Sequence, residues 1–175
     1  MAGSLVKINE DIVTSSQSSV TLTGIDDTYD VYKLVINNLV PVTINSDVYL
    51  LVTEGGSVSN DSDYDEAAKQ LRSDTTFGDL ADANRAFWVL SGSLNDTAGK
   101  GFNCEVYIFN ASNSSEYTYV TIDSLYVSED LGTLLGIQGG GVYTQTTAVD
   151  GVHIKLEGPT SNIATGTFTL YGIKK

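Results

Sequence analysis

Apolar and polar residues alternate with a period of two along much of the chain. Val152-His153-Ile154-Lys155-Leu156 shows it cleanly, and so do Val20-Thr21-Leu22-Thr23 and Thr167-Phe168-Thr169-Leu170-Tyr171. That period sends successive side chains to opposite faces of an extended strand, one toward a core and one toward water. Val31-Tyr32-Lys33-Leu34-Val35-Ile36, Val48-Tyr49-Leu50-Leu51-Val52, Phe87-Trp88-Val89-Leu90, Cys104-Glu105-Val106-Tyr107-Ile108-Phe109 and Tyr117-Thr118-Tyr119-Val120-Thr121-Ile122 add β-branched and aromatic runs. About eight such runs, mostly short and separated by turn residues, predict an all-β sandwich or barrel. The predicted core is Val20, Leu22, Leu34, Ile36, Leu50, Val106, Ile108, Val120, Ile122, Ile154, Leu156, Phe168 and Leu170.

The connecting residues suit that reading. Asp150-Gly151 lies between the apolar runs 142–149 and 152–156, and Asp-Gly there predicts a hairpin turn. Gly55-Gly56 and Gly139-Gly140-Gly141 are expected to mark flexible turns. Pro41 and Pro159 are both expected between strands, because proline lacks the N–H that a central strand needs. Residues 55–84 break the pattern. They are expected to form a long loop excursion, with the spacing of Ala67, Ala68 and Leu71 suggesting one or two helical turns over Tyr64–Arg72. The whole chain, 1–175, reads as a single domain. Eight strands with long-range connections and one excursion predict a jelly-roll-like antiparallel β-sandwich of two four-stranded sheets. The alternative is an immunoglobulin-like sandwich.

Charge narrows the function. Nine Lys and Arg against 22 Asp and Glu give a net charge of -13, and no cation lies between Lys100 and Lys155. A surface that must neutralise phosphates needs cations, so neither nucleic acid nor an anionic membrane is an expected partner. No apolar run approaches the roughly 20 residues of a membrane helix. The opening Met1-Ala2-Gly3-Ser4 has no basic segment leading into an apolar one, and no signal peptide is expected.

Candidate chemistry is sparse. The one cysteine, Cys104, sits in an apolar strand-like run and reads as a buried thiol. The one histidine, His153, shares a strand face with Lys155 and reads as an exposed strand residue. No nucleophile elbow, phosphate loop or dinucleotide fingerprint is found, and no cofactor is expected. The acidic cluster Asp61-Ser62-Asp63-Tyr64-Asp65-Glu66 opens like a calcium loop, making Asp61, Asp63 and Asp65 candidate ligands for an irregular site. An EF-hand is excluded, because Glu66 stands where the loop needs Gly and Arg72 where it needs Glu. Ten tyrosines are a second oddity. Tyr117 and Tyr119 share a strand face opposite Val120 and Ile122, and are candidates for a protein interface or for stacking on sugar rings.

Two stretches carry a resemblance. Leu22-Thr23-Gly24-Ile25-Asp26-Asp27-Thr28-Tyr29-Asp30-Val31-Tyr32-Lys33, running into Val35-Ile36-Asn37-Asn38-Leu39, is one. Gly166-Thr167-Phe168-Thr169-Leu170-Tyr171-Gly172-Ile173-Lys174 is the other. Together they resemble small structural virion proteins of tailed, many of them marine, bacteriophages, described as tail-fibre-like or capsid-associated. The glycine-rich stretch before Val58, followed by Ser62-Asp63-Tyr64, looks like the same group's long loop. The resemblance covers about the first 65 residues and the final ten. It implies a non-enzymatic part of the virion surface: a tail-fibre or tail-appendage subunit, or a head decoration protein. It further implies synthesis in the bacterial host cytoplasm and partners that are copies of the chain itself and other virion proteins. The 55–84 excursion, long and weakly apolar within itself, is a candidate arm reaching a neighbour. A carbohydrate-binding adhesin module recognising a host surface glycan is the alternative, and a polysaccharide hydrolase built on two carboxylates the third reading.

Overall fold

The structure, a computed structural model, describes residues 4–74, 76–158 and 160–174; the expectations for Pro159 and for residues 1–3 lie outside them. Thirteen strands follow in chain order: β1 (Leu5–Val13), β2 (Ser19–Thr23), β3 (Val31–Pro41), β4 (Ser46–Glu54), β5 (Ser57–Val58), β6 (Tyr64–Arg72), β7 (Gly78–Arg85), β8 (Trp88–Leu94), β9 (Phe102–Phe109), β10 (Thr118–Val127), β11 (Leu134–Tyr143), β12 (Gly151–Leu156) and β13 (Ile163–Ile173). They form two antiparallel sheets. One has eight strands in the order β1-β13-β3-β9-β10-β11-β6-β7; the other has five, β2-β12-β4-β5 with β8 also on β4. The fold is all-β, as the alternation predicts.

Alternation sorts residues between core and solvent. In β10, Thr118, Val120, Ile122, Ser124 and Tyr126 are buried, while Tyr119, Thr121, Asp123 and Leu125 face out. β9 repeats this with Phe102, Cys104, Val106 and Ile108 inward. β4 has Val48 to Thr53 all buried, so both its faces are covered. One hydrophobic cluster joins the inner faces of both sheets, and it contains every residue of the predicted core. Polar bonds also cross between the sheets: the Ser124 hydroxyl donates to Leu90 O at 2.8 Å, and Gly92 N–H donates to the Tyr126 hydroxyl at 3.0 Å.

Several expectations need correction. Thirteen strands in sheets of eight and five replace the expected two sheets of four. Residues 55–84 are not a loop excursion, for they hold β5, β6 and most of β7. Tyr64–Arg72 is a strand and not a helix, paired with β11 from Tyr143↔Tyr64 to Leu135↔Arg72. Pairing on both sides decides this, since β7 takes the other edge of β6. Gly139, Gly140 and Gly141 are not turn residues; they lie within β11. Gly141 is needed there, because a Cβ would stand 2.3 Å from the Trp88 indole nitrogen. Gly55 and Gly56 do turn the chain, at φ of 55° and 78°. Asp150-Gly151 does not close a hairpin, since β11 and β12 belong to different sheets. Pro41 is the final residue of β3, beside an irregularity in its pairing with β13 that relaxes the need for a regular ladder.

Candidate functional site

The β9–β10 connection and the segment after β11 together shape a shallow depression of about 490 Å³, lined by Asn110, Ser115, Glu116, Tyr117, Tyr119 and Thr146. Tyr119 is an outward position of β10, flanked in the ladder by Phe109 of β9 and Val142 of β11. Tyr117 lies two residues earlier on the same side. Both rings are open to solvent, at 41% and 48% exposure. The two tyrosines singled out in the sequence therefore meet in one site.

Its walls are fixed by hydrogen bonds. Asn110 holds a left-handed φ of 60°, and its carbonyl accepts from Asn113 N–H at 3.0 Å. The Asn113 side-chain carbonyl accepts from Ser115 N–H at 2.9 Å. Val149 N–H donates to Ala111 O at 2.7 Å, tying the two connecting segments together. Thr144 donates to Asp63 O from both its N–H (2.8 Å) and its hydroxyl (3.1 Å), and the Thr147 hydroxyl donates to the Glu54 carboxylate. Asp150 anchors the far end. Its carboxylate accepts from the Thr53 hydroxyl at 2.5 Å and from Gly56 N–H at 2.7 Å. Its carbonyl accepts from Gly24 and Ile25 N–H, both at 3.1 Å. Asp-Gly at 150–151 thus serves as a junction between connections rather than as a tight turn.

The structure gives the calcium candidates other tasks. The Asp63 carboxylate accepts from the Gln145 amide at 2.7 Å, and the Asp65 carboxylate from Asn84 N–H at 2.8 Å. Asp61 is exposed and accepts through its backbone carbonyl from Asp63 N–H. Among the described residues no three acidic, histidine or cysteine side chains converge as a metal would need, so Asp61, Asp63 and Asp65 are not brought together.

His153 is half-buried rather than exposed, and its Nδ1 shares a hydrogen bond of 2.8 Å with the Thr21 hydroxyl of β2. Burial, and secondarily the Lys155 charge, hold its pKa below the usual histidine value. Cys104 is buried, and burial pushes its thiol far above the usual range, away from the reactive thiolate. On the outer face Glu105 and Asp123 stand directly opposite one another. Lys33 approaches Glu105 at 2.9 Å while lying 5.0 Å from the Tyr107 ring centre.

Sequence reasoning missed Glu66. It lies on the inward face of β6, only 5% exposed, where Oε2 accepts from Val89 N–H at 2.9 Å and Oε1 has no hydrogen-bond partner among the described residues. Burial raises its pKa to about 7; the Val89 bond and Arg85 oppose the rise, and Asp82 adds to it. Its alternation with Tyr64 was the available signal. Asn110, Glu116 and Thr146 were also missed, because only the fold brings them beside the tyrosines. No family model, curated protein or solved structure matches the chain.

Proposed function

We propose that this chain is a non-enzymatic structural subunit of the surface of a tailed bacteriophage virion, a tail-fibre or appendage part or a head decoration protein, built as a jelly-roll-like sandwich. The observation that carries this reading is where the two resembling stretches lie. They are far apart in sequence, yet residues 31–39 of the first lie in β3 and residues 166–173 of the second in β13, and these pair from Gly172↔Tyr32 to Thr167↔Asn37. Tyr29 of the first stretch rests on Gly172 of the second, where a Cβ would come within 2.4 Å of the ring. The Tyr29 and Tyr32 rings meet edge to face, with centres 5.7 Å apart. Asp26 N–H donates to the Tyr32 hydroxyl at 2.9 Å, and that hydroxyl donates to Asp26 O at 2.9 Å. The residues that carry the likeness are thus those that lock strand to strand. Such a pattern suits a protein selected for its shape.

The surface supports an assembling role. Phe77, Leu125, Leu131 and Leu134 are exposed at 72%, 49%, 44% and 47%. They gather at one end of the large sheet, where the β6–β7 and β10–β11 connections lie side by side: Ser73 N–H donates to Leu134 O at 3.1 Å. Covering apolar positions of this kind desolvates little charge. The test is to probe purified particles of the phage that encodes the chain with an antibody against it, and to weigh the isolated chain by light scattering. Gold label on tail or head, with a homo-oligomer in solution, is the expected result. A chain missing from washed particles would overturn the reading.

A further inference from the structure

We propose that the depression around Tyr117 and Tyr119 is a binding site for an uncharged glycan, recognised through the faces of its sugar rings. This is a ligand-binding activity beyond the structural role, and it stands on separate observations.

The first is the chemistry of the lining. A pyranose presents C–H groups on its faces and hydroxyls around its rim. The faces suit the electron-rich surface of an aromatic ring. The rim needs short polar side chains that both donate and accept. Tyr117 and Tyr119 supply the aromatic surface, while Asn110, Glu116 and Thr146 supply amide, carboxylate and hydroxyl groups around the same hollow. The hollow is open and about 490 Å³. That volume lies in the usual range for small-ligand sites.

The second is preorganisation. Tyr119 is held between Phe109 and Val142 by the sheet ladder. Asn110 is set by its left-handed backbone, and the Val149–Ala111 bond fixes one connection against the other. A site that is already ordered loses little entropy on binding.

The third is charge, which selects the class of glycan. The lining holds one carboxylate and no cation, and the chain has no Lys or Arg between Lys100 and Lys155. With a net charge of -13, the protein repels uronic and sialic acids. Hexoses and N-acetylhexosamines remain.

The test uses the full chain, saturation-transfer NMR and a printed glycan array. The probes are oligosaccharides of glucose, galactose, mannose and N-acetylglucosamine, each beside a uronic- or sialic-acid counterpart. The expected result is binding to at least one neutral series. It should weaken at least tenfold in Tyr119→Ala and clearly in Glu116→Gln, and be unchanged in Leu125→Ala on the same sheet face. Charged counterparts should bind more weakly, with the gap closing as salt screens the repulsion. If Tyr119→Ala lowers the melting temperature, Tyr117→Ala, which lies outside any strand, gives the same readout. Three results would overturn the proposal: no binding to any neutral series, binding retained when both tyrosines are alanine, or a preference for the acidic sugars. None of them bears on whether the chain sits in a particle.

Discussion

The strands β3 and β13 and the strands β6 and β7 belong to the same sheet but are held there differently. β3 and β13 send Tyr32, Leu34, Ile36, Phe168 and Leu170 into the core, all essentially fully buried. β6 sends Tyr64 and Glu66 inward, and β7 has no residue buried. The first pair is stabilised by burial of apolar surface, worth roughly 1.5–3 kcal/mol for each large side chain. The second is held by ladder hydrogen bonds, a few aromatic contacts and exposed ion pairs such as Lys69–Asp79. Exposed pairs of that kind contribute little. A strand can therefore form where its own pattern does not ask for one, provided a neighbour offers a template edge. β11 is that neighbour, and it in turn rests on β10.

This comparison can be broken experimentally. The largest effect should come from deleting residues 59–73. A free loop would be dispensable, but this deletion removes β6 and with it the buried Tyr64, whose ring meets Trp88 edge to face at 4.9 Å. The expected outcome is loss of cooperative unfolding, seen by calorimetry. Next, Tyr32→Ala empties a fully buried site on the well-packed side. It should cost about 3–5 kcal/mol in denaturant titration.

Glu66→Gln sharpens the contrast from the other side, because there a native residue opposes stability. The carboxyl has a pKa of about 7 in the folded chain against an ordinary 4.5. Between those values the folded state binds this proton more tightly than the unfolded state, so the Glu66 contribution to stability is fully present below pH 4.5 and is lost as pH rises through 7. Above pH 7 the buried carboxylate costs roughly 2–4 kcal/mol. Glu66→Gln should recover much of that at pH 8 and almost nothing at pH 4, which paired melts at the two pH values would show. The smallest effect belongs to Lys69→Ala, whose partner Asp79 is also exposed. We expect a change within about 0.5 kcal/mol.

The sequence made the core legible because its strands obey the period of two. Every residue assigned inward, from Val20 to Leu170, is buried. It hid β6 for a physical reason: Glu66, Ala68 and Gln70 occupy alternate positions where apolar side chains announce a strand, while Ala67, Ala68 and Leu71 imitate a helical face. It hid β11 because Gly139, Gly140 and Gly141 look like a turn, although the glycine at 141 makes room for Trp88. Of the candidate site, the two tyrosines were readable from their spacing. The polar rim was not, since Asn110 and Thr146 come together only through long-range pairing. The acidic triplet at 61, 63 and 65 looks like one ligand set only in sequence: in the fold the Asp63 and Asp65 carboxylates accept from a side-chain amide and a backbone N–H on different segments, while Asp61 stays exposed.

The β1–β13 pairing also sets an order of events during synthesis. β1 meets β13 from Leu5↔Ile173 to Val13↔Gly166, and β13 separates β1 from β3 in the sheet. Neither β1 nor the adjoining edge of β3 has its partner until β13 has left the ribosome. Contacts so distant in sequence form slowly, because the chain must first close a long loop. Until then two strand edges stand open, one of them carrying the apolar residues of β3, and open edges are templates for association between chains. Crowding many translating copies together before β13 emerges would therefore turn unfinished sheets toward one another.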